Sequence, residues 1–126
     1  MLKKNIHTNK APKAIGPYSQ AIQTGNTVYL SGQIGFDPET MNIISEDIRI
    51  QAGQVLKNLK AVCEAASGSL DHIVKLTIYL TDLADFQTVN EVMQEFFTEP
   101  YPARATIQIS ALPKAARIEV DGIMVI

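Results

Sequence analysis

Between Ser45 and Ser67 the apolar residues Ile48, Ala52, Val55, Leu56, Leu59, Val62, Cys63 and Ala66 fall on one face of a 3.6-residue helix. This stripe constrains the fold more than any other feature, because a long helix with one apolar face needs a second layer against which to bury it. Ser45 is the expected N-cap and Ser67-Gly68 the expected stop. A shorter stripe of Phe86, Val89, Met93, Phe96 and Phe97 predicts a second helix from about Asp85 to Phe97, closed by Pro100.

The second layer is legible as strands. Ala21 to Gln23 and Thr27 to Gln33 flank Thr24-Gly25-Asn26, a hairpin-like turn. Ile73 to Leu80 reads as a buried strand with Val74, Leu76, Ile78 and Leu80 on one face. Ala103 to Ser110 alternates, with Ala105, Ile107 and Ile109 on one side and Arg104, Thr106, Gln108 and Ser110 on the other. A turn over Ala111-Leu112-Pro113-Lys114-Ala115-Ala116 leads into a last strand, Arg117 to Ile126. The order strand, strand, strand, helix, strand, helix, strand, strand predicts an α+β fold, a mixed β-sheet with two helices packed on one face, as a single domain over residues 1–126. Ile123 and Val125 share parity with Arg117, Glu119 and Asp121, so the helix-free face is also partly apolar. With no third layer in the sequence, a second subunit is the expected cover.

Composition narrows the class. The 126 residues are 46% hydrophobic and 19% charged, with 11 basic and 13 acidic side chains and a net charge of −2. Lys3-Lys4 is the only adjacent basic pair, which argues against nucleic acid as a partner, since phosphate neutralisation needs clustered cations. The first residues lack the apolar stretch of a secretory leader, and no run is long enough to span a membrane; the cytoplasm is the expected compartment. Cys63 is the single cysteine and lies on the apolar helical stripe, so it is read as core. His7 and His72 have no partners at metal-ligand spacing. Gly32-Gln33-Ile34-Gly35 lacks the Lys and the following helix of a phosphate loop.

The residues with chemical potential concentrate near the end: Tyr101-Pro102-Ala103-Arg104-Ala105-Thr106, then Leu112-Pro113, then Arg117-Ile118-Glu119. Arg104 and Thr106 project from one strand face about 6.6 Å apart. A strand-mounted guanidinium suits a carboxylate through two parallel bonds, and Glu119 on the next strand suits a general base or a water holder. Spacing alone favours a plainer arrangement, Arg104 on a surface carboxylate and Glu119 paired with Arg117. Ile15-Gly16-Pro17-Tyr18 is a turn that presents a hydroxyl, or merely an amphipathic edge residue. Gly32, inside a strand, marks either a close approach or a bulge.

Together, Ala14-Ile15-Gly16-Pro17-Tyr18-Ser19-Gln20-Ala21, Ser31-Gly32-Gln33-Ile34, Thr88-Val89-Asn90, Tyr101-Pro102-Ala103-Arg104 and Leu112-Pro113 with Ile118-Glu119 resemble the Rid (YjgF) family of reactive intermediate deaminases, RidA-like subgroup, over nearly the whole chain. The resemblance implies a chorismate-mutase-like α+β domain, a homotrimer with sites in the clefts between subunits, and hydrolysis of 2-iminopropanoate and 2-iminobutanoate to 2-oxo acids without metal or cofactor. It implies that Arg104 binds the substrate carboxylate, that Glu119 holds or activates the water, and that Tyr18, Ser31, Gly32, Asn90 and Thr106 line the pocket. Thr106 departs from the family pattern, in which many members carry Cys. Two other readings remain: a trimeric module that uses the same Arg104 pocket to bind a 2-oxo acid and regulates a partner, and an RNA-directed translation inhibitor or endoribonuclease, which the charge pattern disfavours.

Overall fold

Leu76, Ile78 and Leu80, alternate residues of one strand, are fully buried, and the fold is built around the face they define. The computed structural model describes residues 2–126. Its elements are β1 (Lys4–Ile6), β2 (Ala21–Thr24), β3 (Thr27–Gln33), α1 (Ile48–Ala65), β4 (Ile73–Leu80), α2 (Phe86–Phe96), β5 (Ala103–Gln108) and β6 (Ile118–Val125). The strands form one six-stranded sheet in the order β1-β2-β3-β6-β4-β5, antiparallel except for the parallel pair β4–β5. The mixed sheet with two helices follows the sequence reading, and so does the order of three strands ahead of the first helix, although no sequence signal bounds β1 at Lys4–Ile6.

Register explains the core. Val28 pairs with Met124, Leu30 and Leu76 both flank Gly122, Ile78 pairs with Val120 and Leu80 with Ile118. Paired residues share a face, so these side chains form one apolar surface. Val55, Leu56, Leu59, Val62 and Cys63 of α1 and Val89, Val92 and Met93 of α2 complete the core on it. At 25 cal/mol per Å², each such large aliphatic side chain contributes about 1.5–3 kcal/mol through burial. Cys63 is 0% exposed, as its place on the stripe requires, and burial pushes its thiol up to about 12. No helix is long and apolar enough to cross a membrane among the described residues.

Four local expectations are corrected. Asp47, not Ser45, caps α1: its Oδ1 accepts from the Arg49 and Ile50 amides at 2.8 and 3.1 Å, while Ser45 Oγ accepts from Asp47 N one step earlier. The stop holds, with Ser67 in the left-handed region (φ 66°) and the Gly68 amide on the Cys63 carbonyl. Val74 is not on the core face. A bulge between the pairs Ile73–Met124 and Lys75–Ile123 turns Ile73 inward and leaves Val74 49% exposed. Phe86 does not join the buried stripe of α2 but stands at the helix start, 39% exposed. Helix α2 ends at Phe96, four residues before Pro100, because Phe97 has already turned extended (φ −118°, ψ 151°).

Strand β5 inverts the usual pattern. Arg104, Thr106 and Gln108 pair with Leu76, Ile78 and Leu80, so its polar face looks to the helix side. Ala105 and Ile107 look to the helix-free face, where Ile107, Tyr29 and Val125 stay 43%, 51% and 38% exposed. The edge position of β5 permits this, since its helix-side face lies at the margin of the core.

Candidate functional site

The structure sorts the sequence-derived site residues into two groups on opposite faces of the sheet. Arg104 pairs with Leu76 on β4 and faces the helices. Glu119 pairs with Tyr79 on the same strand, three residues on, and therefore faces the other way. One chain cannot bring these two side chains to one small molecule.

The first group surrounds Arg104. Its Nη1 donates to Asn90 Oδ1 at 2.5 Å, and its guanidinium carbon stands 5.3 Å from the centroid of the Phe86 ring. Phe86 and Asn90 are one helical turn apart on α2, so a single helix face supplies both supports. They orient the guanidinium without neutralising it. Among the described residues no carboxylate forms an ion pair with Arg104; the ion pairs there are Arg49 with Glu91 and Arg117 with Asp85. The plainer expectation for Arg104 is thus overturned, and most of its five N–H donors stay free. Arg104 opens on a recess of about 330 Å³ lined also by Asn90, Met93, Gln94, Tyr101 and Pro102. Thr106 faces the same side, and its Oγ1 is shut off from solvent with no hydrogen-bond partner. Asn90 from α2 and Arg104 from β5 thus line one recess, and Thr106 follows Arg104 on the same face of β5.

The second group surrounds Glu119. A further recess of about 330 Å³ is lined by Tyr18, Gly32, Ile34, Phe36, Met41 and Pro113 around that carboxyl group, with Lys13 and Lys114 also in its wall. Burial raises the Glu119 pKa above the ordinary carboxylate range, and the nearby Asp121 charge adds to the effect. Gly32 meets both of its sequence expectations. The β3–β6 register shifts between Leu30 and Gln33, and a Cβ on Gly32 would stand 2.8 Å from the Glu119 carboxyl carbon. Glycine is what allows the carboxylate to lie across β3.

The wall of this recess is braced from behind. Gln20, 2% exposed, accepts from the Thr8 amide and donates to the Thr8 and Pro12 carbonyls at 2.7, 3.0 and 2.8 Å. It fixes the segment that leads to Lys13. Tyr18 OH accepts from the Ile15 amide at 3.3 Å, which closes the Gly16-Pro17 turn, where Gly16 has φ 121°. Ser31 Oγ donates to the Ser19 carbonyl at 2.6 Å, so its hydroxyl is used in holding this loop to β3. The expected Arg117–Glu119 pair does not form. Arg117 instead makes a two-pronged bond to Asp85 at 2.8 and 2.9 Å and a third to the Glu46 carbonyl, joining the start of β6 to the helices. The Arg117–Asp85 brace carries no sequence signal, Gln20 stands out only as part of the Ala14–Ala21 motif, and Phe86 reads as a core residue although it lies one turn before Asn90.

Comparison with known proteins agrees with this fold. A family model described as Endoribonuclease L-PSP matches residues 8–126. Protein DfrA of Myxococcus xanthus is 52% identical over 99% of this chain and 97% of its own. The 2-iminobutanoate/2-iminopropanoate deaminase of Dermatophagoides farinae is 48% identical over 98% and 97%. The crystal structure of RidA from the Antarctic bacterium Psychrobacter sp. PAMC 21119 superposes with a TM-score of 0.95 at 54% identity, covering 98% of this chain and 99% of that one. With the match running nearly end to end, the chain belongs to the Endoribonuclease L-PSP family, the Rid (YjgF) group that its motifs resemble.

Proposed function

We propose that this protein hydrolyses 2-imino acids to 2-oxo acids and ammonia, with Arg104 holding the substrate carboxylate and Glu119 handling the water. The observation that carries the reading is the state of Arg104: a guanidinium fixed by Asn90 and Phe86, opening on a recess, and left without a carboxylate. Such a group is a ready receptor for one planar anion. Relatives named as 2-iminobutanoate/2-iminopropanoate deaminases support the choice of substrate. The cytoplasm is the proposed compartment.

Because Arg104 and Glu119 lie on opposite faces, the complete site takes Arg104 from one copy and Glu119 from the next. A two-fold dimer joins like patches and does not satisfy both faces of each chain. A closed ring of head-to-tail contacts does, and a trimer is the proposed ring. It would also cover Tyr29, Ile107 and Val125 on the helix-free face.

The chemistry asks little. In the protonated imine the C=N carbon is already electrophilic. Glu119, ionised, takes a proton from water as the oxygen adds to that carbon, giving a carbinolamine. The same carboxyl group returns the proton to nitrogen. Ammonia then leaves as the carbinol oxygen passes its proton to Glu119 and the C=O bond forms, and Glu119 gives that proton up to the departing ammonia as ammonium. Arg104 fixes the carboxylate, so the carbon sits where the water arrives.

The test is a coupled assay in which a dehydratase acts on serine or threonine while 2-oxo acid formation is timed. Addition of this protein is expected to accelerate the step, and the Arg104→Ala protein is not. No acceleration by the wild-type protein, despite tight binding of pyruvate, would replace the enzyme by a 2-oxo-acid-binding module.

A further inference from the structure

Glu119 is not alone on its face. Asp121 follows two residues later on β6, about 6.6 Å along the strand and on the same side. Tyr79, the β4 residue paired with Glu119, does not bond to it. Its hydroxyl donates instead to Asp121 Oδ2 at 2.9 Å. The hydrogen bond to that carboxylate raises the Tyr79 pKa, so the phenol keeps its proton and remains a donor. The result is a row of three groups: a carboxyl with no hydrogen bond among the described residues, a second carboxylate held by a hydrogen bond, and the phenol that holds it.

We propose that Asp121, tethered by Tyr79, is a positioning residue whose fixed negative charge keeps Glu119 able to carry a proton between water and the imine nitrogen. The inference rests on the deaminase reading and deepens it. An anion two residues away raises the proton affinity of Glu119 and so strengthens it as acceptor of the water proton, while the carbinolamine nitrogen, more basic still, can take that proton from the same carboxyl group. Burial of Glu119 and the Asp121 charge act in that direction. The proton that Glu119 takes from water is the one it returns to nitrogen, so Asp121 and Tyr79 undergo no net change.

The surroundings leave this row as the close electrostatic neighbourhood of Glu119 on the sheet. Strand β4 brings Tyr79 and, farther along the same face, Thr77 and Lys75. Strand β3 brings Gly32, and then Tyr29 opposite Ile123. The loops bring Tyr18, Lys13 and Lys114 to the recess wall. No ion pair joins either lysine to Glu119 or Asp121 among the described residues. Arg104 of a second copy, in the proposed ring, would be engaged by the substrate carboxylate.

The experiment is a carbon-13 NMR titration of the Glu119 carboxyl group in the assembled protein at fixed ionic strength, its resonance assigned by its loss in Glu119→Gln. Asp121→Asn is nearly isosteric, and its amide oxygen still accepts the Tyr79 hydrogen bond, so it removes charge with the packing kept. Removing a unit charge at about 6.6 Å lowers the Glu119 midpoint by roughly 0.5–1 pH unit. The acid limb of kcat/KM for imine hydrolysis is expected to move down with it. Tyr79→Phe, which frees the charge without removing it, is expected to shift the midpoint the same way by less. An unchanged or raised midpoint in Asp121→Asn overturns the proposal, and an unchanged midpoint in Tyr79→Phe removes the tether from it. The titration uses no imine. A wild-type protein that failed to turn over imine would sink the deaminase reading without moving the midpoint.

Discussion

Gly32→Ala isolates the position of Glu119 from its identity. Gly32 has an ordinary backbone conformation, so the methyl group causes no torsional strain, only contact. Its carbon would stand 2.8 Å from both Cδ and Oε2 of Glu119 and 3.1 Å from Cγ. Ordinary contacts begin at about 3.5 Å, so the carboxyl group must retreat by roughly 0.7 Å or more. The obstacle is the end of a flexible side chain, which places the stability cost near the bottom of the overpacking range, about 1 kcal/mol. In a chain of 126 residues that corresponds to a fall in Tm of about 3–5 °C. Catalysis is far less tolerant, because a misplacement of about 1 Å in a reacting group costs on the order of 100-fold. The expected outcome of the coupled assay is thus a near-native melting curve with kcat/KM down by about two orders of magnitude. A double-mutant cycle identifies the route: Gly32→Ala on a Glu119→Gln background should cost almost nothing further. Wild-type turnover in Gly32→Ala, or full additivity in the cycle, would refute the idea that the glycine serves the carboxylate.

Arg104→Ala is expected to lose on the order of 30- to several-thousand-fold in kcat/KM, from the roughly 2–5 kcal/mol that follows loss of one partner of a desolvated pair, and Arg104→Lys to recover little of it; the coupled assay measures both. Cys63→Ala should leave turnover within about twofold and cost roughly 1 kcal/mol in a denaturant titration, while the native thiol, pushed up to about 12, stays silent to a thiol reagent until the protein unfolds. Because the folded state raises the Glu119 pKa, that group favours the folded state less as pH climbs from the ordinary glutamate range through the raised value. Glu119→Gln should therefore gain stability over wild type at neutral pH and lose that advantage in acid, as thermal melts at several pH values will show. Sedimentation at micromolar concentration should give a particle of about three times 13.8 kDa, and a clean monomer there would remove the shared site.

How much of this was legible beforehand depended on whether the signal was local. The α1 stripe and the alternation of β4 and β5 are set by the helix and strand periods, so those elements could be placed within a few residues. The Val74 error came from a bulge, which shifts the face of one residue without altering the pattern on either side. The α1 cap was missed because Ser45 and Asp47 are both good caps, and only the chain path into the helix selects Asp47.

The site residues had a different kind of legibility. Motif similarity marked Tyr18, Gly32, Asn90, Arg104 and Glu119, but nothing in their spacing said that the sheet would divide them. That division comes from strand order: β4 lies between β5 and β6, and Arg104 and Glu119 meet β4 at positions of opposite parity. It could not be read without knowing the partners of β4. The same fact explains why Arg117, two residues before Glu119 and of the same charge sign as Arg104, was a misleading partner. Just before β6 begins, its side chain reaches back to Asp85 and Glu46, and Glu119 is left without it. An unpaired, half-buried carboxylate destabilises a single chain. It is useful only if something else completes its surroundings, and in the proposed ring the arginine from the far side of the next copy's sheet would do so.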